Sequence, residues 1–389
     1  KIEFNEHIRP ILSDKCFHCH GNVPETAEAG LLLNSFEGAT KKLSKRKEKY
    51  AIVPGSPKKS TLIERIYTDD EDDIMPPLEM HKTLTQHEKG LLKKWISQGA
   101  EYQDHWSFTK ITNPPKPQIS NHSWPKNDID SFVLKKLEDK KLKPNKQVSK
   151  EKLLRRLSFD TTGLPPSLEE IDSFLKDDSS NAYEKQVDTF LAKSAYGEHM
   201  ARFWLDAARY GDTHGLHLDN YREMWPYRDW VIKAFNQNMP FDQFSTEQLA
   251  GDLLPQAKLD QKVASGFNRC NVTTSEGGSI AEEYYVRYAV DRTSTTSTVW
   301  LGLTTACAAC HDHKFDPVSQ KEFYQMTGFF NNITENAMDG NKKQVAPIVH
   351  IMNADQEKQD KELKQQIAAI KKLVPHNPKD EKFLTWLKN

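Results

Sequence analysis

Residues 16–20 read Cys16-Phe17-His18-Cys19-His20, and the same C-x-x-C-H pattern returns at Cys307-Ala308-Ala309-Cys310-His311. Two thiols three positions apart reach the two vinyl groups of one haem as thioethers, and the adjacent His offers the iron a neutral nitrogen. With this chain's Cys and His content, one such motif arises by chance with a probability of roughly 0.002, so two copies are a strong signal. The competing readings are local redox disulfides and a single zinc site of four thiolates. A redox C-x-x-C pair belongs in a βαβ context, which the sequence lacks. About 290 residues separate the two pairs, unlike the short spacings of compact zinc ribbons. Cys16, Cys19, Cys307 and Cys310 are therefore read as attachment points for two covalent haems c, with His20 and His311 as iron ligands. The fifth cysteine, Cys270, reads as a small buried thiol.

Working outward from the first motif, Phe4, Ile8, Ile11 and Leu12 recur at helical spacing and predict a helix over 3–14. Ser56-Pro57 opens a predicted helix through Tyr67, with Leu62, Ile63 and Ile66 inward. Thr85-Gln86-His87-Glu88 is a capping box for a helix carrying Leu91, Leu92, Trp95 and Ile96 and ending at Gly99. Helix, haem motif, loop and closing helix is the order of a class I-like cytochrome c domain, placed at residues 1–110. The loop contains Ile74-Met75-Pro76-Pro77, where two prolines stiffen the chain. A thioether opposite His is a known axial pair. Met75 is the expected sixth ligand of the first haem, with Met80, His81 and His18 as rivals.

Residues 111–127 hold four prolines and read as an extended linker. A larger helical domain is expected over 128–335. Its legible helices carry Ile129, Phe132, Val133 and Leu137, then Ile171, Phe174 and Leu175 behind a Ser167–Glu170 capping box, then Val187, Phe190 and Leu191 behind Asn181. Met200, Phe203, Trp204, Ala207 and Ala208 form a predicted core stripe. Strand patterns are scarce, and 345–352 is the best of them. Residues 336–389 read as a short strand and an amphipathic helix, with Leu363, Ile367, Ile370 and Val374 at helical spacing. That segment is expected to connect to a further C-terminal domain or to pack on a partner chain. The fold class is mainly α.

The chemistry-bearing residues concentrate between the linker and the second motif. His214 and His217 stand three apart among carboxylates and glycines, a pattern suited to proton transfer or ligation. Glu276 precedes Gly277-Gly278, where the backbone can approach a ligand closely. His214, His217 and Glu276 are the candidate catalytic bases. The second haem has no loop like that of Met75, so His214, His217, Met224, Met239 or an open iron are its alternatives. Asp312, His313 and Asp316 are candidates for a separate cation such as calcium. Lys plus Arg total 54 and Asp plus Glu 55, a net charge of −1, which excludes a dominant nucleic-acid or anionic-membrane surface. Apolar residues make up only 37%, and no run approaches the roughly 18 residues of a membrane span.

The chain resembles the planctomycete-type cytochrome c proteins, in which a small cytochrome domain precedes a family-specific domain of uncharacterised function. The resemblance rests on Cys16–His20, Ala51-Ile52-Val53-Pro54-Gly55-Ser56-Pro57, Met75-Pro76-Pro77 and Trp95-Ile96-Ser97-Gln98-Gly99-Ala100. It continues in Asp160-Thr161-Thr162-Gly163-Leu164-Pro165-Pro166, Trp204–Tyr210, Tyr227-Arg228-Asp229-Trp230, Gln248-Leu249-Ala250-Gly251-Asp252-Leu253-Leu254-Pro255, Glu276-Gly277-Gly278 and Cys310–Pro317. It implies export, with haem c attached outside the cytoplasm in a periplasmic or other extracytoplasmic compartment. It also implies a carbohydrate-degradation setting.

Two covalent haems and a His/Glu/Arg-rich centre make an extracytoplasmic dihaem oxidoreductase the leading expectation. It would oxidise a small-molecule or carbohydrate substrate near the second haem and pass electrons through the first to a redox partner protein. The alternative is a dihaem electron-transfer protein without substrate chemistry. A structural role, with the second haem stapling a helical domain, is the third class.

Overall fold

The computed structural model describes residues 1–21, 27–43, 49–104, 108–313, 316–373 and 385–386. Helix accounts for 56% and, among the described residues, the only pairing of extended segments is a few isolated bridges, so the fold is mainly α as expected. Packing divides the chain into two compact units, Lys1–Ala192 with Ser279–Ile333, and Lys193–Gly278 with Thr334–Asn389.

The first unit begins with a π-helical turn, Phe4–Ile8, that runs into α1 (Arg9–Lys15) and then α2 (Phe17–His20). After α3 (Phe36–Thr40), the helix expected from Ser56 to Tyr67 is instead a 3-10 turn, Pro57–Lys59, followed by α4 (Thr61–Tyr67). The break falls at Ser60. Its hydroxyl accepts the Val53 N–H at 2.8 Å and donates to the Ser56 carbonyl at 3.1 Å, so the side chain competes with the helical ladder. The closing helix α5 (Gln86–Ser97) starts at the expected capping box: Thr85 Oγ1 accepts from the Glu88 N–H, and Glu88 accepts from the Thr85 N–H at 2.7 Å.

α5 lies against the amino-terminal turn through aromatic rings. Phe4 is 5.7 Å from Trp95 and 4.4 Å from Tyr102, centroid to centroid, and Trp95 meets Tyr102 edge-on at 5.2 Å. The polar ends of these rings are satisfied, Trp95 Nε1–H by the Glu101 carbonyl and the Tyr102 hydroxyl by the Leu33 carbonyl. Ile8, Ile11, Leu12, Phe17, Ile66, Leu92 and Ile96 complete this core.

Residues 111–127 form no helix, and α6 (Asp128–Asp139) starts at Asn127, whose side chain accepts the Asp130 N–H. The expected stripe does not become its buried face. Ile129, Phe132 and Val133 are exposed, while Ser131 and Leu134 are buried. α7 (Lys150–Thr162) ends at Gly163 with φ 68°, the left-handed cap that glycine adopts without penalty. α8 (Leu168–Lys176) begins at the Ser167–Glu170 capping box, whereas α9 (Ala182–Leu191) forms without a side-chain cap from Asn181. Leu154, Leu157, Phe174, Ala182 and Phe190 bind these helices into a second core.

In the second unit, α10 (Ser194–Ala208) and α11 (Trp225–Asn236) pack closely. The predicted stripe of α10 holds in part: Ala208 is buried and Met200 and Trp204 half-buried, but Phe203 is 62% exposed and Ala207 exposed, while Gly197 and Ala201 are buried. The reason is backbone proximity. A Cβ on Gly197 would stand 2.4 Å from the Ile232 carbonyl oxygen, so small residues line the contact. α12 (Phe241–Ala250) and α13 (Leu259–Ala264) follow. Gln248 is fully buried between them and the helix pair, its Oε1 accepting from both Trp204 Nε1 and the Tyr227 hydroxyl at 2.7 Å.

α14 (Ala281–Thr296) and α15 (Gln320–Thr327) belong to the first unit and flank the second C-x-x-C-H. Residues 345–352 do not form the expected strand. Pro347 has no N–H for a ladder, and the Arg269 guanidinium takes the carbonyls of Val345 and Pro347 at 3.2 and 3.0 Å. The tail helix α16 (Ala354–Leu373) exposes Leu363, Ile367 and Ile370, and Val374 lies outside the described residues.

Replacing Trp95 by Ala removes the ring that joins α5 to the amino-terminal turn. The expected cost is about 3–5 kcal/mol of cytochrome-domain stability in guanidinium unfolding. A loss below about 1 kcal/mol would show that the aromatic contact does not hold this domain together.

Candidate haem sites and the buried polar node

Each C-x-x-C-H forms one helical turn closed by the same two backbone bonds. In the first, the Cys16 carbonyl accepts the N–H of Cys19 at 3.2 Å and of His20 at 2.9 Å. In the second, the Cys307 carbonyl accepts the N–H of Cys310 at 3.3 Å and of His311 at 3.4 Å. In both, the residue after the first Cys anchors the turn, since Phe17 and Ala308 are buried. Cys16, Cys19 and His20 are half-buried, whereas Cys307, Cys310 and His311 are exposed. None of the five cysteines is in a disulfide, and among the described residues no three His, Cys, Asp or Glu side chains converge on a metal position.

The donor chemistry fits a haem at each turn. Burial pushes the Cys16 thiol up to about 12, which makes it a poor redox or zinc thiolate and leaves it compatible with a thioether. Burial also pulls the His20 ring below its ordinary value, keeping it in the neutral form that metals take. Among the described residues, buried His20 Nδ1 has no hydrogen-bond partner. At His311 the Nδ1–H donates to the Asp312 carbonyl at 2.7 Å. A carbonyl only accepts, so this bond fixes the tautomer and leaves the Nε2 lone pair for iron, the usual arrangement of a ligating histidine.

Met75 is half-buried, and its N–H donates to the Arg65 carbonyl at 3.0 Å. Arg65 also grips the same loop through Asp73 Oδ1 at 2.7 Å. The loop's far end is tied to the haem turn: Lys82 Nζ stands 2.8 Å from Asp14 Oδ1, two residues before Cys16. Of Met75's rivals, Met80 is half-buried, while His81 and His18 are exposed.

The second turn is pinned by α15. Tyr324 and Gln320 donate to the Ala309 carbonyl at 2.9 and 3.2 Å, and Asp312 Oδ1 accepts the Gln320 N–H at 2.8 Å. His313 is buried, and its Nδ1 accepts the Asp316 N–H at 2.9 Å. These bonds give Asp312, His313 and Asp316 a part in holding the turn. Lys314 and Phe315, within the Cys310–Pro317 stretch, lie outside the described residues.

Of the three candidate bases one is buried and two are exposed, and among the described residues no hydrogen bond joins them. His214 is 2% exposed and both of its ring nitrogens are engaged. Nε2–H donates to the Lys342 carbonyl at 2.7 Å, and Nδ1 meets Thr273 Oγ1 at 2.7 Å. The Thr273 hydroxyl donates onward to Asp339 Oδ2 at 2.8 Å, and Ser275 donates to Asp339 Oδ1 at 2.7 Å. His214 thus has no nitrogen to offer an iron or a substrate; it binds three chain segments together. His217 is exposed on the adjacent turn, with φ 54°. Glu276 is exposed, its N–H donating to Thr274 Oγ1 at 3.2 Å. Met224 and Met239 are half-buried in the same unit.

Asp339 is the residue that the sequence reading missed, because 125 positions separate it from His214 and no local pattern marks it. Burial pushes its carboxyl up, but the Ser275 hydroxyl, the Asn341 N–H, the Thr273 hydroxyl and the field of His214 outweigh that, so it lies below its ordinary 3.8. Cys270, buried as expected, is pushed up to about 12 by its burial.

Two one-turn C-x-x-C-H sites on a mainly helical chain define the class as a helical c-type cytochrome protein. Residues 16–79 match the family described as Planctomycete cytochrome C, and residues 128–335 match the one described as Protein of unknown function (DUF1549). The second match spans more than half of the 389 residues, and the chain belongs to that family, with a haem-c-binding cytochrome domain at its amino-terminal side. No curated protein and no solved structure matches the chain. No helix of the described chain is long and apolar enough to cross a membrane.

Asp339→Asn should cost about 1.5–3 kcal/mol at neutral pH, the worth of hydrogen bonds to a charged group. A carboxyl held below its unfolded value stabilises fully above that value, 3.8, and loses its contribution as pH falls through the folded value. The variant's stability should therefore fall less steeply than the wild type's below that pH in urea titrations. Identical acid limbs would remove Asp339 from this role.

Proposed function

We propose that the protein is an extracytoplasmic dihaem c-type electron-transfer protein. The observation that carries this reading is His311, whose Nδ1–H is committed to a backbone carbonyl in a turn built like that of Cys16–His20. A haem iron, when bound, takes up and releases one electron. The chain's residues supply the rest. Cys16 with Cys19 and Cys307 with Cys310 provide covalent attachment, and His20 and His311 provide nitrogen ligands. Met75 is proposed as the opposite ligand at the first site, where its loop is braced from both ends by Arg65 and Lys82. The exposure of Cys307, Cys310 and His311 suits electron exchange with a redox partner protein at the surface. Export follows from the cytochrome domain, since domains of this type are typically exported.

Protein matured with a haem-attachment system should carry two haems per chain by pyridine haemochrome. The Cys307→Ser/Cys310→Ser variant should carry one, with the first haem's spectrum unchanged. One haem in the wild type would refute the dihaem reading. Met75→Ala should lower the first haem's reduction potential and open its iron to small ligands, as loss of a thioether ligand requires. An unchanged spectrum would pass the role to Met80 or His81.

A second reading, oxidation of a small-molecule or carbohydrate substrate, is favoured by one observation. Ser275 is clamped on Asp339, so Glu276 is presented by a held loop rather than a loose one. Under this reading Glu276 or exposed His217 takes the substrate proton, and His214 is a positioning residue. Glu276→Gln or His217→Ala, whichever removes the base, should then lower substrate-dependent haem reduction about 100-fold or more. Full reduction rates in both would end this reading and leave electron transfer.

A further inference from the structure

Arg222 and Arg269 both carry guanidinium groups into the interior of the second unit, and the fold serves them unequally. Arg269 donates to the carbonyls of Val345 and Pro347 and stands 2.9 Å from Glu335 Oε2. Arg222 is buried more deeply, at 5% exposure, and has no ion-pair partner among the described residues. Its guanidinium makes one hydrogen bond there, from Nη1 to the Asn271 carbonyl at 3.2 Å. Its Nε is buried without a partner among the described residues.

The carboxylates near Arg222 are committed elsewhere. Asp212 accepts from the Tyr210 hydroxyl and from the Met224 N–H. Asp339 accepts from the Thr273 and Ser275 hydroxyls and from the Asn341 N–H. Both act on Arg222 only from beyond ion-pair distance, and burial, reinforced by the charge of Arg269, holds the guanidinium below its ordinary value. Taking a cation out of water without a bonded counter-charge is costly. A water molecule can accept its N–H groups but does not neutralise it.

The orientation of the group is nonetheless fixed. The Arg222 backbone N–H donates to the Asp212 carbonyl at 2.8 Å, and Nη1 is tied to Asn271, itself buried. With Nη1 committed, the edge that remains is Nε–H with the adjacent Nη2–H, two parallel donors spaced for two oxygens of one group. We propose that this edge of Arg222 binds a small oxyanion, a carboxylate or phosphate group, side-on. The anion supplies the counter-charge that no neighbouring side chain provides. Tyr221, next to Arg222, and Val272, next to Asn271, are both exposed, so the site lies just beneath the surface. None of its residues belongs to either C-x-x-C-H turn, and the proposal does not depend on the haem reading.

The test is calorimetric titration of the full, haem-loaded chain, in chloride buffer at constant ionic strength, with phosphate, with acetate, and with acetamide as the neutral counterpart. Saturable binding of phosphate or acetate and none of acetamide is expected, and the arm that binds tells a phosphoryl from a carboxyl ligand. Arg222→Lys keeps the charge but loses the fork, and should weaken binding at least about 10-fold. Arg222→Met should abolish binding, and its melting temperature should not respond to the anion that raises the wild type's. Arg222→Lys alone carries the comparison should Arg222→Met misfold by circular dichroism. Equal binding of acetamide would overturn the oxyanion class. No saturable binding in the folded wild type, or binding unaltered in the folded variants, would overturn the site.

Discussion

The C-x-x-C-H motif depends on a single helical turn, and this chain makes that turn twice. At about 3.6 residues per turn, positions i, i+3 and i+4 share one face, so two thiols and an imidazole converge only while the turn is closed. A lone turn does not hold itself, because fixing its dihedrals costs more than its hydrogen bonds return. Tertiary structure closes it. Phe17 sinks the first turn into a core braced by Phe4, Trp95 and Tyr102. Ala308 and the Tyr324 and Gln320 bonds to the Ala309 carbonyl do the same for the second. The two anchors differ in bulk, and exposure follows: the large Phe17 draws its turn half under cover, whereas the small Ala308 leaves its turn at the surface.

The second unit solves a different problem. With 37% apolar residues, the chain cannot fill every interior with aliphatic side chains, and polar groups carry part of the packing. Gln248 satisfies Trp204 and Tyr227 at once, and Asn268 donates to the Gln248 and Leu249 carbonyls. His214, Thr273, Ser275 and Asp339 form a hydrogen-bonded ladder. Such networks fix one arrangement, because a shift of any member leaves a buried polar group unpaired.

Local signals were legible wherever the physics is local. The capping boxes at Thr85, Ser167 and Ser319 all formed, the first two as the sequence predicted, since a cap needs only residues three apart. Stripes were less informative. On α10 the approach of α11 to Gly197 sets part of the buried face, and on α6 Ser131 and Leu134 are buried, so hydrophobicity alone located these faces only in part. The Gln248–Pro255 stretch carried family resemblance without a stated role. Its Gln248 is a buried hub, and its Gly251 admits the backbone of Gln261.

The sequence by itself determined the helical class and the two C-x-x-C-H turns, because the motif is encoded in five consecutive residues. Tertiary structure alone decided what the remaining polar residues do. His214 and His217 look alike in sequence, three positions apart in one glycine-rich stretch. One is enclosed by Thr273, Asp339 and the Lys342 carbonyl, and the other faces solvent. The difference comes from chain segments at 273 and 339 that fold back onto one side of that turn. Burial and hydrogen-bond partnership are properties of what comes to surround a side chain, and residues distant in sequence supply those surroundings.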